Sequence, residues 1–361
     1  MKLLVNHMKM LRSAATIAVV LTTLSSVIAT EPADRELIPE ARAVLNYLES
    51  VYGHKTVAAL NGMKNVEGVV QASGKYPAIV GFDLSGWNSP PWGESYRSVV
   101  EKTIEEVQAW WTKGGIVTMQ CHWINPSNPD GSAWLTAKSR KTASQPFDFA
   151  AALKPGTKAN EELKRDLKFH ADYLQKLADA RIPILWRPLH EIEGGWFWWT
   201  DQEKPENTAA LWRYMFDYFT NERKLHNLIW VYASALRCGK GKESVTNVEM
   251  RKRFYPGSNY VDIVGIDVYP SEYIGVGTPQ QDTYTTSFNV MKQVAPGKMI
   301  ALAECAAIPN PDKLAKDGPP WLYCLPWWGI GKKHTAEWAK KTYSHAHMVS
   351  LDQLPKWKNI K

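Results

Sequence analysis

Two glutamates, Glu191 and Glu304, each come at the end of a short apolar run that is typical of a buried strand. The runs are "RIPILWRPLHE" (181–191) and "KMIALAEC" (298–305). Two carboxyl groups that face each other across a cleft can cleave a glycosidic bond: one protonates the leaving oxygen, and the other attacks the anomeric carbon or activates water. A single glutamate in such a position is more often an ion-pair partner, so it is the pair that indicates chemistry.

Four consecutive aromatic residues, Trp196, Phe197, Trp198 and Trp199, follow Glu191 closely. The whole chain holds 17 Trp and 15 Tyr, which is more than a core of this size usually needs. An indole ring can cover the C–H face of a sugar while the sugar hydroxyls bond at its edge, although a Trp-rich core is the alternative interpretation. We expect Phe197, Trp198 and Trp199 to pack inside the protein.

The elements that must position these residues recur along the chain as a strand-like run, a loop and an amphipathic helix. Apolar runs of this length suit strands buried on both faces of a parallel sheet, and their alternation with helices implies parallel crossovers. Eight such units predict a (β/α)8 TIM barrel, with an extra helix before it at residues 36–53. The strand-like runs are residues 55–62, 77–83, 114–123, 181–191, 226–234, 260–270, 298–305 and 321–329. The helical patterns cover residues 95–111, 160–180, 207–222 and 334–347, with a shorter one near 64–73.

An open doubly wound sheet is the alternative fold, but the glycine-rich phosphate loop that usually follows its first strand is missing from the sequence. In a barrel, catalytic residues lie at the carboxyl ends of the strands, and the fourth and seventh strands lie across the mouth from each other. We therefore expect Glu191 and Glu304 to converge. The residues that end the eight runs are Asn61, Asp83, His122, His190 with Glu191, Ser234, Asp267 with Tyr269, Glu304, and the Trp327–Trp328 pair.

The first 29 residues are typical of an export signal, with a basic start and then the apolar run "AATIAVVLTTLSSVIA". We expect a mature monomer over residues 30–361: one soluble barrel domain, secreted or extracellular, or periplasmic if the source is Gram-negative. An uncleaved membrane anchor is the alternative. Removing three basic residues lowers the net charge from +7 to about +4, and no Lys/Arg-rich block remains, so no nucleic-acid partner is expected.

The cysteines and histidines do not predict a metal site or a cofactor. Cys121, Cys238, Cys305 and Cys324 allow three disulfide pairings after export, and the sequence does not choose among them. None of them has the CxxC spacing of a structural zinc site, and no HExxH spacing suggests a catalytic metal. We therefore expect chemistry that is carried by side chains alone.

The segment "RPLHEIEGGWFWW" (187–199) resembles the signature of glycoside hydrolase family 26, most of whose members are endo-β-1,4-mannanases. The similarity extends from about Asn61 to Trp328. It implies a retaining (β/α)8 enzyme that cleaves β-1,4-mannosidic bonds inside mannan, glucomannan or galactomannan, without a cofactor. Three further segments resemble the family's second, third and sixth strands: "GKYPAIVGFD" (74–83), "GGIVTMQCHW" (114–123) and "VDIVGIDVYP" (261–270).

The resemblance also implies roles for eight residues. Glu191 would be the acid/base and Glu304 the nucleophile. The other six would bind or orient the substrate: His122 beside the cleaved bond, His190 next to the acid/base, Trp196 on the leaving-group side, Asp267 and Tyr269 at the nucleophile, and Trp327 beneath the attacked sugar.

Electrostatics gives these roles a physical basis. Burial among Trp residues and the negative charge of Glu304 should raise the pKa of Glu191, so that it holds its proton near neutral pH. Glu304 should be ionised and held by donors such as Tyr269. Arg187 is expected to brace the barrel mouth through hydrogen bonds rather than to bind substrate.

The chain departs from the family pattern in ways that leave the substrate open. The segment "AECAAIPNPDKL" lacks the glycine expected soon after Glu304, and Trp328 stands where some family members use a polar or charged residue. The alternatives are the same mechanism acting on β-1,3-1,4-glucan or β-1,4-xylan, and a non-catalytic polysaccharide-binding protein on the same scaffold. A metal-dependent barrel hydrolase is a weaker alternative.

Overall fold

Eight parallel strands close into a barrel, which confirms the predicted (β/α)8 fold. The computed structural model describes residues 31–85, 89–135, 146–239 and 243–357. The barrel strands are β1 (Thr56–Asn61), β2 (Ile79–Asp83), β3 (Ile116–Gln120), β4 (Ile184–Arg187), β5 (Leu228–Ala235), β6 (Ile263–Val268), β7 (Met299–Cys305) and β8 (Tyr323–Pro326). Each strand pairs with the next along the chain, and β1 pairs with both β2 and β8 to close the ring.

Helices fill the connections between the strands. The helices are α1 (Pro39–Val51), α2 (Val66–Ser73), α3 (Glu94–Thr112), α4 (Phe149–Ala152), α5 (Lys158–Asp179), α6 (Pro205–Phe216), α7 (Val248–Phe254), α8 (Thr285–Val294), α9 (Pro311–Lys316) and α10 (Ala336–Tyr343). A π-helix, Asp217–Glu222, continues α6, so the predicted helix at 207–222 changes its hydrogen bonding halfway. The sequence patterns do not predict α4, α7, α8 and α9, which have four to ten residues and therefore carry a weak 3.6-residue period, although the equally short α2 and α10 were predicted.

Several strands end earlier than their apolar runs. The apolar run extends to Glu191, but β4 already ends at Arg187. The strand ends there because Pro188 has no N–H to continue the hydrogen-bonded ladder. His190 and Glu191 therefore lie in the loop after the strand. The structure also adds a two-residue strand, β9 (Met348–Val349), which pairs in parallel with β1 and was not among the eight predicted strands.

Side chains along each strand alternate between the barrel interior and the layer of helices. In β1, Ala58 and Leu60 belong to the large apolar cluster that includes the outer helices, whereas Val57 and Ala59 belong to a second cluster. This second cluster consists mostly of branched apolar residues from the other strands, such as Ile229 of β5. Side chains of this kind fill the interior of a (β/α)8 barrel as a packed core.

The predicted extra helix, α1, packs against this interior cluster. Its buried residues Ala41, Val44, Leu45 and Leu48 all belong to the cluster. The backbone N–H of Ile38, the residue before α1, donates to the carbonyl oxygen of His226, two residues before β5. This contact places α1 at the amino-terminal end of the barrel, which leaves the opposite end open for chemistry.

A bulge between β6 and β7 sets the direction of two acidic side chains. Ile266 pairs with Leu302, but the next pair is Asp267 with Glu304, so Ala303 is an extra residue in β7. Partner residues on adjacent parallel strands point to the same side of a sheet, and one extra residue reverses that side for everything after it. The bulge therefore aims Asp267 and Glu304 in the same direction at the mouth.

Much of the unusual tryptophan content is used in packing. Phe197, Trp198 and Trp199 are at most 1% exposed, as expected for the packing interpretation of this cluster. The four cysteines are also buried, and all are free thiols. The fully buried tryptophans are Trp110, Trp186, Trp198, Trp199, Trp212, Trp230 and Trp321.

The predicted export signal, residues 1–29, lies outside the described residues and stays a prediction. In the part of the chain that the structure describes, none of the helices combines the length and the apolar character that a membrane span requires.

The packing of α1 is testable by shortening one of its core side chains. Leu48 is fully buried, so Leu48→Ala should lower the free energy of unfolding by about 2–5 kcal/mol through lost burial and a residual cavity. Urea denaturation followed by circular dichroism measures this. The exposed Asn46 on the same helix provides the control, since Asn46→Ala should change the stability by less than about 0.5 kcal/mol. Equal effects of the two variants would show that α1 is not part of the barrel core.

Candidate active site

Glu191 lies in a tight turn directly after β4. Its φ is +48°, a left-handed conformation that is uncommon for a residue other than glycine. Two backbone hydrogen bonds hold the turn: Gly194 N–H donates to the Glu191 carbonyl at 2.8 Å, and Ile192 N–H donates to the Ala233 carbonyl of β5 at 3.1 Å. Strained backbone of this kind persists only where the surroundings fix it, and it is concentrated at functional sites.

Two glycines allow Trp196 to fold back onto Glu191. A Cβ atom on Gly194 would come within 2.3 Å of the Trp196 indole, and Gly195 has a φ of +80°. The indole Nε1–H donates to Glu191 Oε2 at 2.7 Å, and the ring is partly exposed. Trp196 is therefore placed to contact both the carboxyl group and a molecule bound beside it.

The environment of Glu191 favours its protonated form. Burial and, next in size, the negative charge of Glu304 raise the pKa of Glu191 to about 8. The Trp196 hydrogen bond and the charge of Arg187 act in the opposite direction. A carboxyl group with this pKa holds its proton at neutral pH. The electrostatic effect of Glu304 also shows that the two candidate carboxyl groups lie close together, although 113 positions separate them in the sequence.

Glu304 stands at the end of β7 between two hydrogen-bond donors. Tyr269 Oη–H donates to Glu304 Oε2 at 2.7 Å, and Arg187 Nη2 donates to Glu304 Oε1. Burial, with the nearby charge of Glu304, raises the pKa of Tyr269 well above its ordinary value, so the phenol keeps the proton that it donates. The carboxylate is thus oriented through both oxygens, and Glu304 is only 5% exposed.

Arg187 connects the two acidic residues Asp267 and Glu304 through hydrogen bonds. It is 3% exposed and donates to Asp267 at 2.9 Å, as well as to Glu304 and to Gln120 at the end of β3. Burial alone would lower the pKa of Arg187, but the charges of Asp267 and Glu304 outweigh it and raise the pKa. The expectation that Arg187 braces the barrel mouth matches these contacts, whereas its partner Gln120 was not predicted.

His190 and Asp267 are buried behind other side chains of the site. His190 is 1% exposed, and its Nε2 contacts His122; Asp267 is fully buried against Arg187. Their predicted roles in binding or orienting the substrate stay predictions. His190 comes directly before Glu191, and Asp267 comes two positions before Tyr269. The strand-end position alone did not show which residue of each pair is the more exposed one.

His122 is bonded at both ring nitrogens within the protein. Its Nδ1 lies 2.5 Å from Asp83 Oδ2, and its Nε2 lies 3.1 Å from His190 Nε2. Its backbone N–H also donates to Asp83 Oδ1 at 3.1 Å. The sequence analysis marked Asp83 only as the end of β2, so its link to the histidines comes from the structure.

Sequence reasoning also missed a buried ion pair beneath the loop of Glu191. Glu193 is fully buried and accepts from Ser234 Oγ at 2.6 Å, from the Ala235 N–H at 2.9 Å and from Arg251 Nη1 at 3.2 Å. Arg251 of α7 also donates to the Ala235 carbonyl at 2.8 Å. These contacts tie the loop after β4 to the end of β5 and to α7. The only sequence signal was a second glutamate two positions after Glu191.

A cavity of about 520 Å³ opens beside the strand ends of β1, β2 and β8. Trp327 and Trp328 form part of its wall, together with Asn61 and Asp83. Trp327 is partly buried and lies edge-on to His122 with ring centroids 6.0 Å apart. All eight predicted site residues therefore lie at the carboxyl end of the barrel, in two connected groups around Glu304 and His122, with Glu191 and Trp196 beside them.

Within the described residues, no group of three or more His, Cys, Asp or Glu side chains is arranged to hold a metal ion.

The barrel and its two converging carboxyl groups, one protonated and one held between Arg187 and Tyr269, define a protein of the glycoside hydrolase class. The chain belongs to glycosyl hydrolase family 26, whose family model matches residues 34–355.

Curated relatives include the mannan endo-1,4-beta-mannosidase of Thermothelomyces thermophilus, which is 35% identical over 328 residues, 88% of this chain and 62% of the relative. Mannan endo-1,4-beta-mannosidase B of Piromyces sp. is 27% identical over 334 residues, 88% of this chain and 52% of the relative. The chain thus spans less than two thirds of the length of these relatives.

Solved structures agree with the fold. A beta-mannanase from a symbiotic protist of the termite Reticulitermes speratus, complexed with gluco-manno-oligosaccharide, has a TM-score of 0.76 and 31% identity, with 90% of this chain and 98% of that chain covered. A beta-(1,4)-mannanase of Podospora anserina has a TM-score of 0.74 and 30% identity, with 91% and 69% covered.

The raised pKa of Glu191 predicts a pH-dependent cost to stability. The unfolded chain releases this proton near the ordinary value of 4.5, while the folded chain holds it up to about 8. The folded state therefore binds more protons between these values, so stability falls as pH rises through this window. Glu191→Gln removes this loss, and its stability relative to the parent should rise by about 1.4 kcal/mol for each unit of the pKa difference.

Denaturant unfolding at pH 5 and pH 8.5 measures this difference. Glu249→Gln is the control, since the Glu249 side chain is 84% exposed and its ion pair with Lys252 lies at the surface. A stability difference for Glu191→Gln that is the same at both pH values would contradict the assignment of the raised pKa.

Proposed function

We propose that the protein is an endo-acting glycoside hydrolase that cleaves β-1,4-mannosidic bonds in mannan, glucomannan or galactomannan with retention of configuration. The observation that carries the proposal is the unequal carboxyl pair: Glu191 keeps its proton to a pH of about 8, while Glu304 is fixed by donors on both of its oxygens. The mannanase relatives support the choice of substrate class.

In the first step, Glu304 attacks the anomeric carbon as the nucleophile, while Glu191 protonates the leaving glycosidic oxygen. Tyr269 and Arg187 orient the attacking carboxylate. Asp267 accepts a hydrogen bond from Arg187 at 2.9 Å and so helps to hold the guanidinium group that orients Glu304. The product of this step is a glycosyl ester of Glu304.

In the second step, the loss of the negative charge on Glu304 favours the ionised form of Glu191. Once Glu304 is esterified, it has no negative charge, so one of the causes that raise the pKa of Glu191 disappears. Glu191, which gave up its proton in the first step, can then act as a general base and activate the water that releases the sugar. Trp196, which donates to Glu191 at 2.7 Å, stabilises this charged form.

The partly exposed aromatic rings mark where the chain of sugars would lie. Trp196 donates to Glu191 and would lie on the leaving-group side, and Trp327 lies in the wall of the cavity at the ends of β1, β2 and β8. Rings on both sides of the carboxyl pair suit a substrate that extends past the cleaved bond in both directions. This arrangement supports endo action rather than removal of terminal sugars.

We also propose that the protein is exported and acts outside the cytoplasm. The basic start and the apolar run before Thr30 support export, and a polymeric substrate that cannot enter cells supports the same location.

Replacing the nucleophile should abolish the reaction. Glu304→Ala should reduce the release of reducing ends from mannan by several orders of magnitude, because the glycosyl-enzyme cannot form. The surface variant Glu249→Ala should retain activity, and circular dichroism should show that both variants are folded. Undiminished turnover by folded Glu304→Ala would refute the assignment.

The acid/base variant gives a matched comparison within the same test. Glu191→Ala should lose activity on mannan, whose leaving group needs a proton, but retain far more of the first step on an aryl mannoside with an acidic phenol as leaving group. Equal losses on the two substrates would mean that Glu191 does not protonate the leaving group.

A panel of polysaccharides tests the substrate. Linear mannan, glucomannan, β-1,3-1,4-glucan and β-1,4-xylan are each incubated in heavy-oxygen water, and the products are analysed by mass spectrometry and NMR. The proposal predicts manno-oligosaccharides that carry one label at the new reducing end and appear first as the β-anomer, because water attacks the anomeric carbon of the ester. Preferred cleavage of glucan or xylan would support the alternative substrate, and binding without cleavage would support a non-catalytic role.

A further inference from the structure

A chain of hydrogen bonds joins Asp83, at the end of β2, to His190, the residue that precedes Glu191. Asp83 Oδ1 accepts the backbone N–H of His122 at 3.1 Å, and Asp83 Oδ2 lies 2.5 Å from His122 Nδ1. His122 Nε2 then lies 3.1 Å from His190 Nε2. The chain thus connects the cavity wall, of which Asp83 is a part, to the backbone that carries Glu191.

The carboxylate determines which nitrogen of His122 carries a hydrogen. Burial would raise the pKa of Asp83, but its contacts with His122 outweigh this and lower it, so Asp83 is ionised and can only accept hydrogen bonds. His122 Nδ1 must therefore carry a hydrogen. In neutral His122, Nε2 is then a bare acceptor, and the hydrogen between the two Nε2 atoms must come from His190.

The other ring nitrogen of His190 supports this direction. His190 Nδ1 is buried and has no protein hydrogen-bond partner among the described residues. The opposite arrangement would require a cationic His122 and an N–H at His190 Nδ1 without an acceptor, and orphaned N–H groups are the rarer kind in protein interiors. Burial lowers the pKa of His190 well below its ordinary value, so His190 is neutral and carries one hydrogen.

Packing prevents the rings from turning to exchange their nitrogens. Phe197 lies edge-on to both, with centroid distances of 5.7 Å to His122 and 4.7 Å to His190. Trp199 stacks on Phe197 with ring centroids 4.2 Å apart and also contacts His190 at 5.4 Å, and its indole N–H donates to the His190 carbonyl at 3.0 Å. The buried aromatics after Glu191 thus hold the histidine pair as well as the core.

We propose that Asp83 is a positioning residue for this site: it holds His122 with its hydrogen on Nδ1 and thereby fixes His190 with its hydrogen on Nε2. The consequence is positional. Because His190 precedes Glu191, a change in the hydrogen bond that holds the His190 ring acts on the backbone that carries the acid. The kinetic part of this inference rests on the proposed function, whereas the arrangement of the hydrogens does not.

Asp83→Asn tests the proposal with a variant of almost the same shape. The His122 backbone N–H still needs an acceptor, so the Asn oxygen should take the position of Oδ1, and the amide nitrogen should face His122 Nδ1. That nitrogen donates, so His122 must accept at Nδ1 and carry its hydrogen on Nε2. The hydrogen on His190 then has to move to Nδ1. The variant should invert both tautomers.

Nitrogen NMR of protein labelled with ¹⁵N-histidine measures this directly, because ring nitrogens with and without a hydrogen have widely separated chemical shifts. His122→Gln and His190→Gln assign the signals. The parent protein should show hydrogens on His122 Nδ1 and His190 Nε2, and Asp83→Asn should show the reverse. Asp262→Asn is the matched control, since Asp262 is also buried and accepts backbone N–H groups, from Ala33 and Trp230. It should leave both assignments unchanged.

The kinetic arm uses the same variants on mannan. Asp83→Asn should reduce kcat on the order of tenfold or more, as expected when an aspartate that sets a tautomer is neutralised. The opposite tautomers in the parent protein, or unchanged tautomers in folded Asp83→Asn, would overturn the proposal. If Asp83→Asn does not fold, the parent spectrum alone decides the hydrogen positions.

The two arms separate the possible failures. Inverted tautomers with an unchanged kcat would overturn the positioning role. A parent protein with the stated tautomers but without mannan hydrolysis would show that the proposed function has failed while the assignment of the hydrogens stands.

Discussion

The repulsion between the carboxyl groups of Glu191 and Glu304 is the constraint on which the rest of the site depends. Two negative charges cannot be kept close together where solvent is scarce, so one group must hold a proton. The structure assigns the proton to Glu191 by surrounding Glu304 with Arg187 and Tyr269. A difference in protonation, which a glycosidase needs, thus follows from an unequal distribution of donors between two chemically identical side chains.

The fold provides this inequality through small local departures from regular structure. The bulge in β7 turns Glu304 to the same side as Asp267, and the left-handed turn at Glu191 directs the other carboxyl group from the opposite side of the mouth. Each departure is fixed by neighbours that are buried. The ion pair of Glu193 and Arg251 lies beneath the turn and ties it to β5 and α7.

The barrel supports these strained elements from the other end. The helix α1 packs its apolar face against the interior cluster, so the amino-terminal end of the barrel is closed and contributes stability rather than chemistry. The large aromatic residues act in the same way around the mouth: Phe197 and Trp199 are buried and pack against the histidine pair. The aromatic cluster after Glu191 therefore serves two purposes, since its first member contacts the acid and the others hold the loop.

The sequence by itself determined the elements, because periodicity and strand-end position depend on residues that are near each other in the chain. The eight apolar runs, the extra helix and the two glutamates at strand ends follow from such patterns, whereas the separation of Trp196 from its buried neighbours came from the resemblance to a family. The short helices α7, α8 and α9 and the early end of β4 did not follow, because too few residues carry the pattern.

The tertiary structure alone decided which side chains meet. Asp83 and His190 are 107 positions apart, and Glu193 and Arg251 are 58 apart, yet each pair is joined through hydrogen bonds at the mouth. It also placed His190 and Asp267 behind other side chains of the mouth. Protonation depends on burial and on neighbouring charges, and both are set only when the closed barrel brings distant strand ends together.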